Sequence, residues 1–312
     1  MGAIVKACNI TTSVKNTGKE CDSAMLATAM LIAIQKDVTF TDLNLADPVT
    51  WLTGLIQQRK AFPLFGQTAP VRSVNNAGGE DQTVTLDDGL IVFMRYQLYN
   101  RILETTSGGL CYASALQSFL NSGYSIIEID QAGQMMARKN ADGTYSGLYA
   151  DYMYAPSPTM ADFTSTPYKN RFSYSYSPIE LVNNGIIFKG AAALLSMVGL
   201  IDVRITKSAA ATVTKLKLKV NTDCKGTSLV GLFPSAIADL DLYIVTNVAT
   251  GVVIVPSAGA VVLDTVELTG TFVSGQTYNV IGSTPQVWQT NLIEGYDAAA
   301  TSGSAGVNIL IP

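Results

Sequence analysis

Residues Tyr112–Leu148, YASALQSFLNSGYSIIEIDQAGQMMARKNADGTYSGL, contain the pattern that decides the fold. Apolar side chains recur at helical spacing over Ala113–Leu120, and Asn121-Ser122-Gly123 then supplies residues typical of a helix end. The segment therefore predicts one short helix followed by strands. It offers no nucleophile, general base or phosphate-binding loop, so we expect the chain to act through its shape and its contacts.

The second half of this segment predicts a meander of hairpins. Bulky apolar residues alternate and cluster over Tyr124–Ile129, and further strand-like stretches follow at Gln134–Lys139 and Thr144–Tyr154. The stretches are separated by Asp130–Gly133 and Asn140–Gly143, which both have turn chemistry. Sequential strands joined by such short turns pair as antiparallel neighbours.

The flanking residues extend the predicted sheet on both sides. Upstream, Val84–Leu86 and Leu90–Glu104 predict a hairpin with a long second strand, turning at Asp87-Asp88-Gly89. Downstream, Arg171–Tyr176 (RFSYSY) alternates rings with hydroxyls and predicts a half-buried strand. Because few basic residues surround this strand, packing of its rings in the sheet is favoured over stacking on nucleic-acid bases. Strands interrupted by one helix indicate an antiparallel sheet with a helix laid on it.

The N-terminal part predicts two helices. Ala24–Ile34 is an apolar run that follows acidic and N-capping residues, which favours a buried helix over Ser23–Gln35, with a secretory signal as the alternative. The residues from Asp47 to about Lys60 predict a second helix with proline in its first turn. Ala61–Gly79 is rich in Pro, Gly and Asn and predicts a long extended connection of a kind that often contacts a partner.

The C-terminal part predicts a second domain built of short strands. A boundary in Thr206–Thr214 separates an α+β assembly domain, residues 1–205, from an immunoglobulin-like β-sandwich, residues 213–312. The whole chain is thus expected to be mainly β, with an N-terminal antiparallel β-sandwich or barrel-like meander, flanking helices and the C-terminal sandwich. The strands predicted in the sandwich are Lys215–Val220, Leu240–Asn247, Val252–Val255, Val261–Leu268, Gln276–Ile281 and Val307–Ile311.

Composition limits the classes of function. Only 14% of the 312 residues are charged, the net charge is −4, and histidine is absent. A surface so poor in charge favours association with other protein surfaces, and no basic face suited to tight nucleic-acid binding is apparent. The absence of histidine removes the commonest general base and the usual zinc ligand. We therefore expect a protein that is not an enzyme.

The four cysteines, Cys8, Cys21, Cys111 and Cys224, are widely spaced and form no CxxC pair. Free, buried thiols in a reducing compartment are the expected state. A bridge between Cys8 and Cys21 is the open alternative.

No candidate site has the residues its chemistry requires. Asp87, Asp88, Glu128 and Asp130 are the carboxylates that could form a catalytic pair, but acids at turns and strand ends are common. Asn140-Ala141-Asp142-Gly143 resembles the centre of a calcium loop without the closing bidentate acid, so a plain hairpin turn is favoured. We predict no catalytic residue, no metal ligand, no cofactor and no membrane anchor.

The meander from Leu90 to Tyr176 with its single short helix resembles the subunits of tailed-bacteriophage tails, in which a small β-sandwich flanked by a helix closes into stacked rings. The domain from about Lys215 is similar to the immunoglobulin-like surface domains of phage tail and head proteins. The phrases around Gly18–Asp22, Leu86–Gly89 and Ile126–Gly147 also resemble those of phage virion proteins.

This resemblance implies a virion structural protein, assembled in the host cytoplasm, whose copies form homo-oligomeric rings of a tail tube or neck. The strands from Leu90 to Tyr176 would build the ring, while the arm Met1–Lys19 and the connection Ala61–Gly79 would hold neighbouring copies. DNA would pass without tight binding, and other virion proteins would be partners. A capsid or head-decoration protein, and an exported surface or adhesive protein, are the alternatives.

Overall fold

The computed structural model describes residues 5–6, 25–76, 82–87, 89–95, 99–120, 123–162, 167–176, 178–189, 192–293, 295–299 and 306–312. The chain divides into two compact units, residues 1–199 and 200–312. The division lies upstream of the predicted linker at Thr206–Thr214, because Ile201–Lys207 forms a strand that pairs within the second unit. The expectation of a mainly β protein with few short helices is confirmed.

The described residues of the first unit form two antiparallel sheets, a separate hairpin, four short α-helices and a 3-10 helix at Ala192–Ser196. Its strands are β1 (Val5–Lys6), β2 (Thr28–Gln35), β3 (Ala61–Phe65), β4 (Ser73–Asn76), β5 (Gln82–Thr85), β6 (Ile91–Arg95), β7 (Tyr99–Thr105), β8 (Tyr124–Asp130), β9 (Met135–Lys139), β10 (Tyr145–Ser146), β11 (Tyr152–Tyr154), β12 (Asn170–Tyr176) and β13 (Gly185–Lys189). Its helices are α1 (Asp42–Ala46), α2 (Pro48–Gln57), α3 (Gly109–Gln117) and α4 (Pro178–Asn184).

The two sheets pack face to face. The larger sheet has the order β1-β13-β9-β8-β2-β3, with β10 attached to β9, and the smaller sheet has the order β11-β12-β7-β4. One apolar core joins them, because side chains of β2, β8 and β9 pack against side chains of β7, β11 and β12. The strand members of this core are Leu31, Ala33, Ile126 and Met136 from the first sheet and Leu103, Met153, Phe172, Tyr174 and Tyr176 from the second.

The predicted helix over Ser23–Gln35 is wrong, because Thr28–Gln35 is a central strand between β8 and β3. Met30 through Ile34 are fully buried, so both faces of the strand are covered. A short continuous apolar run fits a strand buried on both faces as well as it fits a buried helix, and strand pairing decides between them. Residues 23 and 24 lie outside the described part of the chain.

The helix predicted after Asp47 is confirmed as α2, which begins at Pro48. The Asp47 side chain accepts a hydrogen bond from the backbone N–H of Thr50 at 3.4 Å and so caps the helix start. Ring contacts join this helical layer to the larger sheet, on the face away from the core. The ring centroids of Phe40 and Trp51 are 4.5 Å apart, and those of Phe40 and Tyr145 are 5.6 Å apart.

Three predictions for the middle of the first unit are corrected. Ala61–Gly79 is not one extended connection, because it contains β3 and β4, which occupy edges of different sheets. The predicted long strand Leu90–Glu104 is divided into β6, which pairs only with β5 among the described strands, and β7, which lies inside the smaller sheet. The predicted hairpins β8–β9 and β9–β10 are confirmed, but the predicted strand Thr144–Tyr154 is wrong, because it is divided into β10 and β11, which belong to different sheets.

The second unit is a two-sheet sandwich. Its strands are β14 (Ile201–Lys207), β15 (Lys215–Thr222), β16 (Tyr243–Asn247), β17 (Val253–Ile254), β18 (Ala258–Val262), β19 (Thr265–Thr269), β20 (Thr277–Gly282), β21 (Tyr296–Asp297) and β22 (Val307–Leu310), with helices α5 (Leu229–Leu232) and α6 (Pro285–Thr290). One sheet has the order β18-β19-β15-β14-β21 and the other has the order β17-β16-β20-β22.

These orders match the immunoglobulin arrangement. Taken in chain order, β14 to β20 and β22 correspond to strands A, B, C, C′, D, E, F and G, which gives sheets ABED and GFCC′. Trp288, on α6 between the last two of these strands, is fully buried in the core. The predicted strand Val261–Leu268 is wrong, because two strands, β18 and β19, meet there in a hairpin that turns at Leu263 and Asp264.

The strand assignment of Thr28–Gln35 predicts the effect of Leu31→Ala. Leu31 is fully buried in the core between the sheets, so its truncation leaves a cavity and should lower the free energy of unfolding of the first unit by about 2–5 kcal/mol. Leu43→Ala is the matched control, since Leu43 is 84% exposed and its loss should change stability by about 0.5 kcal/mol or less. Urea unfolding measures both, and equal effects would contradict the assignment.

Candidate functional site

The four carboxylates that could have formed a catalytic pair do not form one in the described part of the chain. Asp87 is exposed in the turn between β5 and β6, and Asp88 lies outside the described residues. Glu128 and Asp130 are both fully buried on β8, where each is held by separate partners. Neither is presented to solvent, so neither is placed to meet a substrate.

Glu128 is the centre of a buried polar network that links the two sheets of the first unit. Its carboxylate, on the larger sheet, forms an ion pair with the guanidinium of Arg101 on β7 of the smaller sheet. The hydroxyl of Tyr176 donates to Oε1 at 2.8 Å, and the hydroxyl of Thr28 donates to Oε2 at 2.8 Å. The network therefore ties four strands, β2, β7, β8 and β12, through one carboxylate.

The electrostatics of this network are those of a closed structural site. Burial is the largest single influence and lowers the pKa of Arg101, but Glu128 together with Tyr174, Tyr99 and Tyr176 outweighs it, so the net pKa is raised and the guanidinium stays charged. Burial, followed by the negative charge of Glu128, raises the pKa of Tyr174 and of Tyr176 well above the usual value. Arg101, Tyr174 and Tyr176 therefore keep their protons at neutral pH. This behaviour is expected of a network that stabilises the contact between two sheets, and an acid–base catalyst would need a group that exchanges its proton near that pH.

The carboxylate of Asp130 stabilises the turn between β8 and β9. It accepts hydrogen bonds from the backbone N–H groups of Leu26, Ala132 and Gln134 at 2.8–2.9 Å, and from the Gln134 side chain at 2.8 Å. The buried carboxylate and the backbone N–H groups of the turn thus satisfy one another's hydrogen-bonding requirements. The sequence identified the turn but not the contact with Leu26, which lies far away in the chain.

The calcium-like motif is a hairpin turn. Asp142 Oδ1 accepts from the backbone N–H of Thr144 at 2.9 Å and from its hydroxyl at 2.7 Å, and these hydrogen bonds hold the pKa of Asp142 below its ordinary value. The described residues contain no group of three or more His, Cys, Asp or Glu side chains that could hold a metal ion.

The aromatic strand is part of the core. Phe172, Tyr174 and Tyr176 are fully buried between the sheets, which confirms the expectation that these rings pack in the sheet. Ser173 and Ser175 on the opposite face are also buried, so the strand is not half-buried as predicted. Rings enclosed in this way cannot stack on nucleic-acid bases.

A second charged cluster lies on the outer face of the smaller sheet. Glu104 on β7 accepts from Lys169 at 3.0 Å and from Arg171 at 2.7 Å. Burial would raise the pKa of Glu104, but the hydrogen bonds from the two cations outweigh it and hold that pKa below the ordinary value of 4.5. The cluster holds two cations on one carboxylate, so it carries a net charge of +1, and both cations are committed to Glu104.

The expectation of free, buried thiols is wrong for the two described cysteines. Cys111 and Cys224 are both exposed and both disulfide-bonded. Disulfides persist in oxidising surroundings, including virion and cell surfaces. Wide spacing without a CxxC pair says nothing about which thiols meet in the fold. The alternative bridge between Cys8 and Cys21 lies outside the described residues.

The predicted arm and connection are only partly described. Of Met1–Lys19, only Val5 and Lys6 are described, and they pair with β13 of the same chain. Of Ala61–Gly79, residues 61–65 and 73–76 are strands of the two sheets. About half of the predicted connection therefore pairs with strands of the same chain.

The feature that sequence analysis missed is a set of large apolar side chains held in solvent. Leu263 is 95% exposed at the tip of the β18–β19 hairpin, and its φ of +56° is costly for leucine. Leu292 combines exposure with a φ of +64° in the same way. Both leucines lie at the end of the sandwich where β14 begins. The backbone N–H of Ile201 donates to the carbonyl of Gly295, which follows Leu292 closely in the chain. The turn that contains Leu263 lies beside the end of β15. An acid inside an apolar run, as at Asp264, is the only sequence signal for this turn.

Comparisons with protein-family models, curated proteins and solved structures found no match. Within the described residues, no helix has the length and apolar character needed to cross a membrane.

The buried network predicts a large effect of Glu128→Gln. The substitution leaves the Arg101 guanidinium buried without its carboxylate, which should cost about 3–5 kcal/mol of the free energy of unfolding. Adding Arg101→Met should restore part of that loss, giving a measurable coupling in a double-mutant cycle. Asp223→Asn, which breaks the exposed pair with Arg204, is the control and should cost about 0–1 kcal/mol. Urea unfolding that gives Glu128→Gln a cost no larger than the control would contradict the proposed role.

The Glu104 cluster predicts a pH dependence. Since the pKa of Glu104 is lower in the folded state than its ordinary value of 4.5, the cluster stabilises the fold above that pH and loses the stabilisation as pH falls through the lowered pKa. The difference in stability between the wild type and Glu104→Gln should therefore shrink as pH falls below 4.5. Thermal unfolding across this range is the measurement, and a constant difference would argue against the assignment.

Proposed function

We propose that this protein is a non-enzymatic structural subunit of a bacteriophage virion that self-assembles into homo-oligomeric rings, as a tail-tube or neck component. The observation that carries the proposal is the exposure of large apolar side chains on a chain with few charges. Leu43, Val255, Leu263 and Leu292 are all more than four-fifths exposed. Contact with further copies would remove this surface from water and stabilise the assembly.

The positive-φ leucines add a second reason. A glycine at the Leu263 position would adopt the same backbone without strain and would expose no apolar surface. A leucine there costs stability in the isolated subunit, on the order of 1–2 kcal/mol for the left-handed backbone alone. Such a cost is understandable where the side chain meets a partner.

The polar groups of the described residues support a structural role. The one buried ion pair among the described residues of the first unit joins strands to each other, and the Glu104 cluster ties Lys169 and Arg171 to a neighbouring strand. Both arrangements hold the subunit rigid, which suits a component that must present fixed surfaces to identical neighbours.

An exported surface or adhesive protein is the second candidate, and the disulfides favour it. Cys111 and Cys224 are oxidised and exposed, as in proteins that mature outside the cytoplasm. A virion subunit can acquire the same bonds after the particle leaves the cell. The start of the native mature protein separates the two. A signal in Ala24–Ile34 does not fit the fold, because its removal would delete β2 (Thr28–Gln35) from inside the larger sheet, so an exported form would have to lose only residues upstream of β2.

The test is the assembly state of the purified wild-type chain. Negative-stain microscopy and analytical ultracentrifugation over a wide concentration range should show rings or short tubes that grow in number with concentration. Mass spectrometry of the native protein should find residues upstream of Ala24 still attached. A stable monomer at every concentration would contradict the proposed function, and removal of the first residues would favour the exported protein.

A further inference from the structure

We infer that the outer face of the sheet β17-β16-β20-β22 in the second unit pairs with the same face of a second copy of the chain, about a two-fold axis. This surface is here called the uncharged face. It consists of the side chains of these four strands, and of the residues that directly follow β16 and β17, that point away from the core. The contact joins copies in pairs, and it can exist with or without the ring proposed above.

The register of the strands identifies the central row of the uncharged face. Val245 on β16 is fully buried in the core, so Thr246 beside it points outward. Thr246 pairs with Val253 on β17 and with Asn279 on β20. Asn279 pairs in turn with Asn308 on β22, and its side-chain amide donates to Oδ1 of Asn308 at 2.9 Å. These four side chains form one row across the whole sheet.

The rows on either side of the central row are mainly aliphatic. On one side, Ile244 on β16 pairs with Ile281 on β20. On the other side, Thr277 pairs with Leu310 on β22. The N–H of Val248 donates to the carbonyl of Thr277 at 2.9 Å, so Val248 adds a further aliphatic side chain to this row. The three rows together cover all four strands of the sheet.

None of the described side chains in these three rows is charged. The most exposed ones are aliphatic: Val255, which directly follows β17, is 82% exposed, and Val253 and Leu310 at opposite edges of the sheet are 57% and 56% exposed. Contiguous exposed surfaces of this kind commonly mark a contact with another protein. Contact would remove the aliphatic side chains from water and stabilise the bound state.

The other sheet of the same unit has the opposite distribution of charge. Three lysines of β15, Lys215, Lys217 and Lys219, alternate with core residues and therefore lie on its outer face. Glu267 on β19 accepts from the first two of them, at 2.7 Å and 3.2 Å. No lysine or arginine follows Lys225 in the sequence, so the four strands of the uncharged face contain none. One outer face of the sandwich is thus charged and the other is not.

The lack of charge identifies the partner. Nucleic acids and anionic lipid surfaces are held by lysine and arginine, which the uncharged face lacks. A partner surface that carries charges would have to lose their hydration without gaining an ion pair. The same face of a second copy brings no charge and places aliphatic side chains against aliphatic side chains. A two-fold contact also needs only one surface that is complementary to itself.

The uncharged face is large enough for a weak, specific pair. Strands lie about 4.8 Å apart, and residues on one face of a strand recur about every 6.7 Å, so four strands and three rows cover roughly 400 Å² measured flat. Protruding side chains make the accessible area larger, so two copies bury on the order of 1,000 Å² in total, the size at which specific interfaces begin. Pairing should accordingly be reversible and dependent on concentration.

A two-fold contact has a defined effect on assembly. It joins copies in pairs and cannot by itself close a ring. Where rings form through other surfaces, pairing of the uncharged faces would join the copies of one ring to those of another. Loss of the pairing should therefore reduce the mass of the assembled species to half or less, whether that species is a double ring or a simple dimer.

The first test compares Val253→Lys/Leu310→Lys with the matched control Val213→Lys/Val262→Lys. All four residues are aliphatic, belong to the second unit and are between 46% and 57% exposed, so both variants add two lysines without disturbing the core. In the first variant, the lysines of two copies would repel one another across the contact. Analytical ultracentrifugation should show the mass of its largest species reduced to half or less, at concentrations at which the wild type and the control assemble.

The outcomes distinguish the pairing from the proposed function. A wild-type dimer that forms no ring, and that the first variant dissociates, supports the pairing and contradicts the proposed function. Rings that keep their full mass in the first variant, or that lose it equally in both variants, overturn the pairing alone. A wild type that is monomeric at every concentration overturns both, and leaves the uncharged face to a different protein.

The second test restores pairing instead of removing it. Val253→Glu/Leu310→Glu chains should also fail to pair alone, because like charges again face each other. Mixed with Val253→Lys/Leu310→Lys chains, they should form mixed pairs in which glutamates meet lysines. Native mass spectrometry should find these mixed pairs at least about tenfold more abundant than pairs of either variant with itself.

The control for the second test mixes Val213→Lys/Val262→Lys chains with Val213→Glu/Val262→Glu chains. These substitutions lie outside the uncharged face, so any pairs should form in the statistical ratio. Mixed pairs of the first mixture that are no more abundant than this ratio would overturn the inference, because the opposite charges would then not meet across a contact.

Discussion

The ion pair between Arg101 and Glu128 is the constraint on which the first unit depends. A carboxylate in the middle of an apolar sandwich is tolerated only when every oxygen is satisfied, and here the donors come from β2, β7 and β12. A shift of any one strand by a single residue would turn a donor to the opposite face and leave a buried charge unpaired. The network thus selects one register for four strands at once.

The two units solve the same packing problem in different ways. The first places a polar network in the interface between its sheets and covers the outer face of the larger sheet with α1, α2 and a set of aromatic rings. The second has an apolar core around Trp288, and its order of strands gives the two sheets of an immunoglobulin-like sandwich. In both units, paired strands supply the rigidity, and the surface is left with few charges. That combination is compatible with the self-assembly proposed above.

Much of the first unit could be predicted from local pattern, and the failures have physical causes. The meander after Gly123 was predictable, because turn residues at Asp130–Gly133 and Asn140–Gly143 are local signals. Thr28–Gln35 was not, since a continuous apolar run satisfies a buried helix and a central strand equally well. The hairpin at Leu263 was missed because a leucine at positive φ contradicts the usual preference of that position for glycine. The exposure of the Leu263 side chain could not be predicted either, because the sequence does not show whether a given leucine is buried or exposed.

The sequence by itself determined the class of the protein: mainly β, poor in charge, without histidine, and divided into a meander and a sandwich. These properties follow from composition and short-range pattern, which each segment carries wherever it lies. Only the tertiary structure decided which strands pair, that Cys111 and Cys224 are oxidised, that Glu128 meets Arg101, and that β5 and β6 stand apart from both sheets. Those outcomes depend on contacts between residues distant in the chain, and the free energy of such a contact exists only after both segments have been brought together.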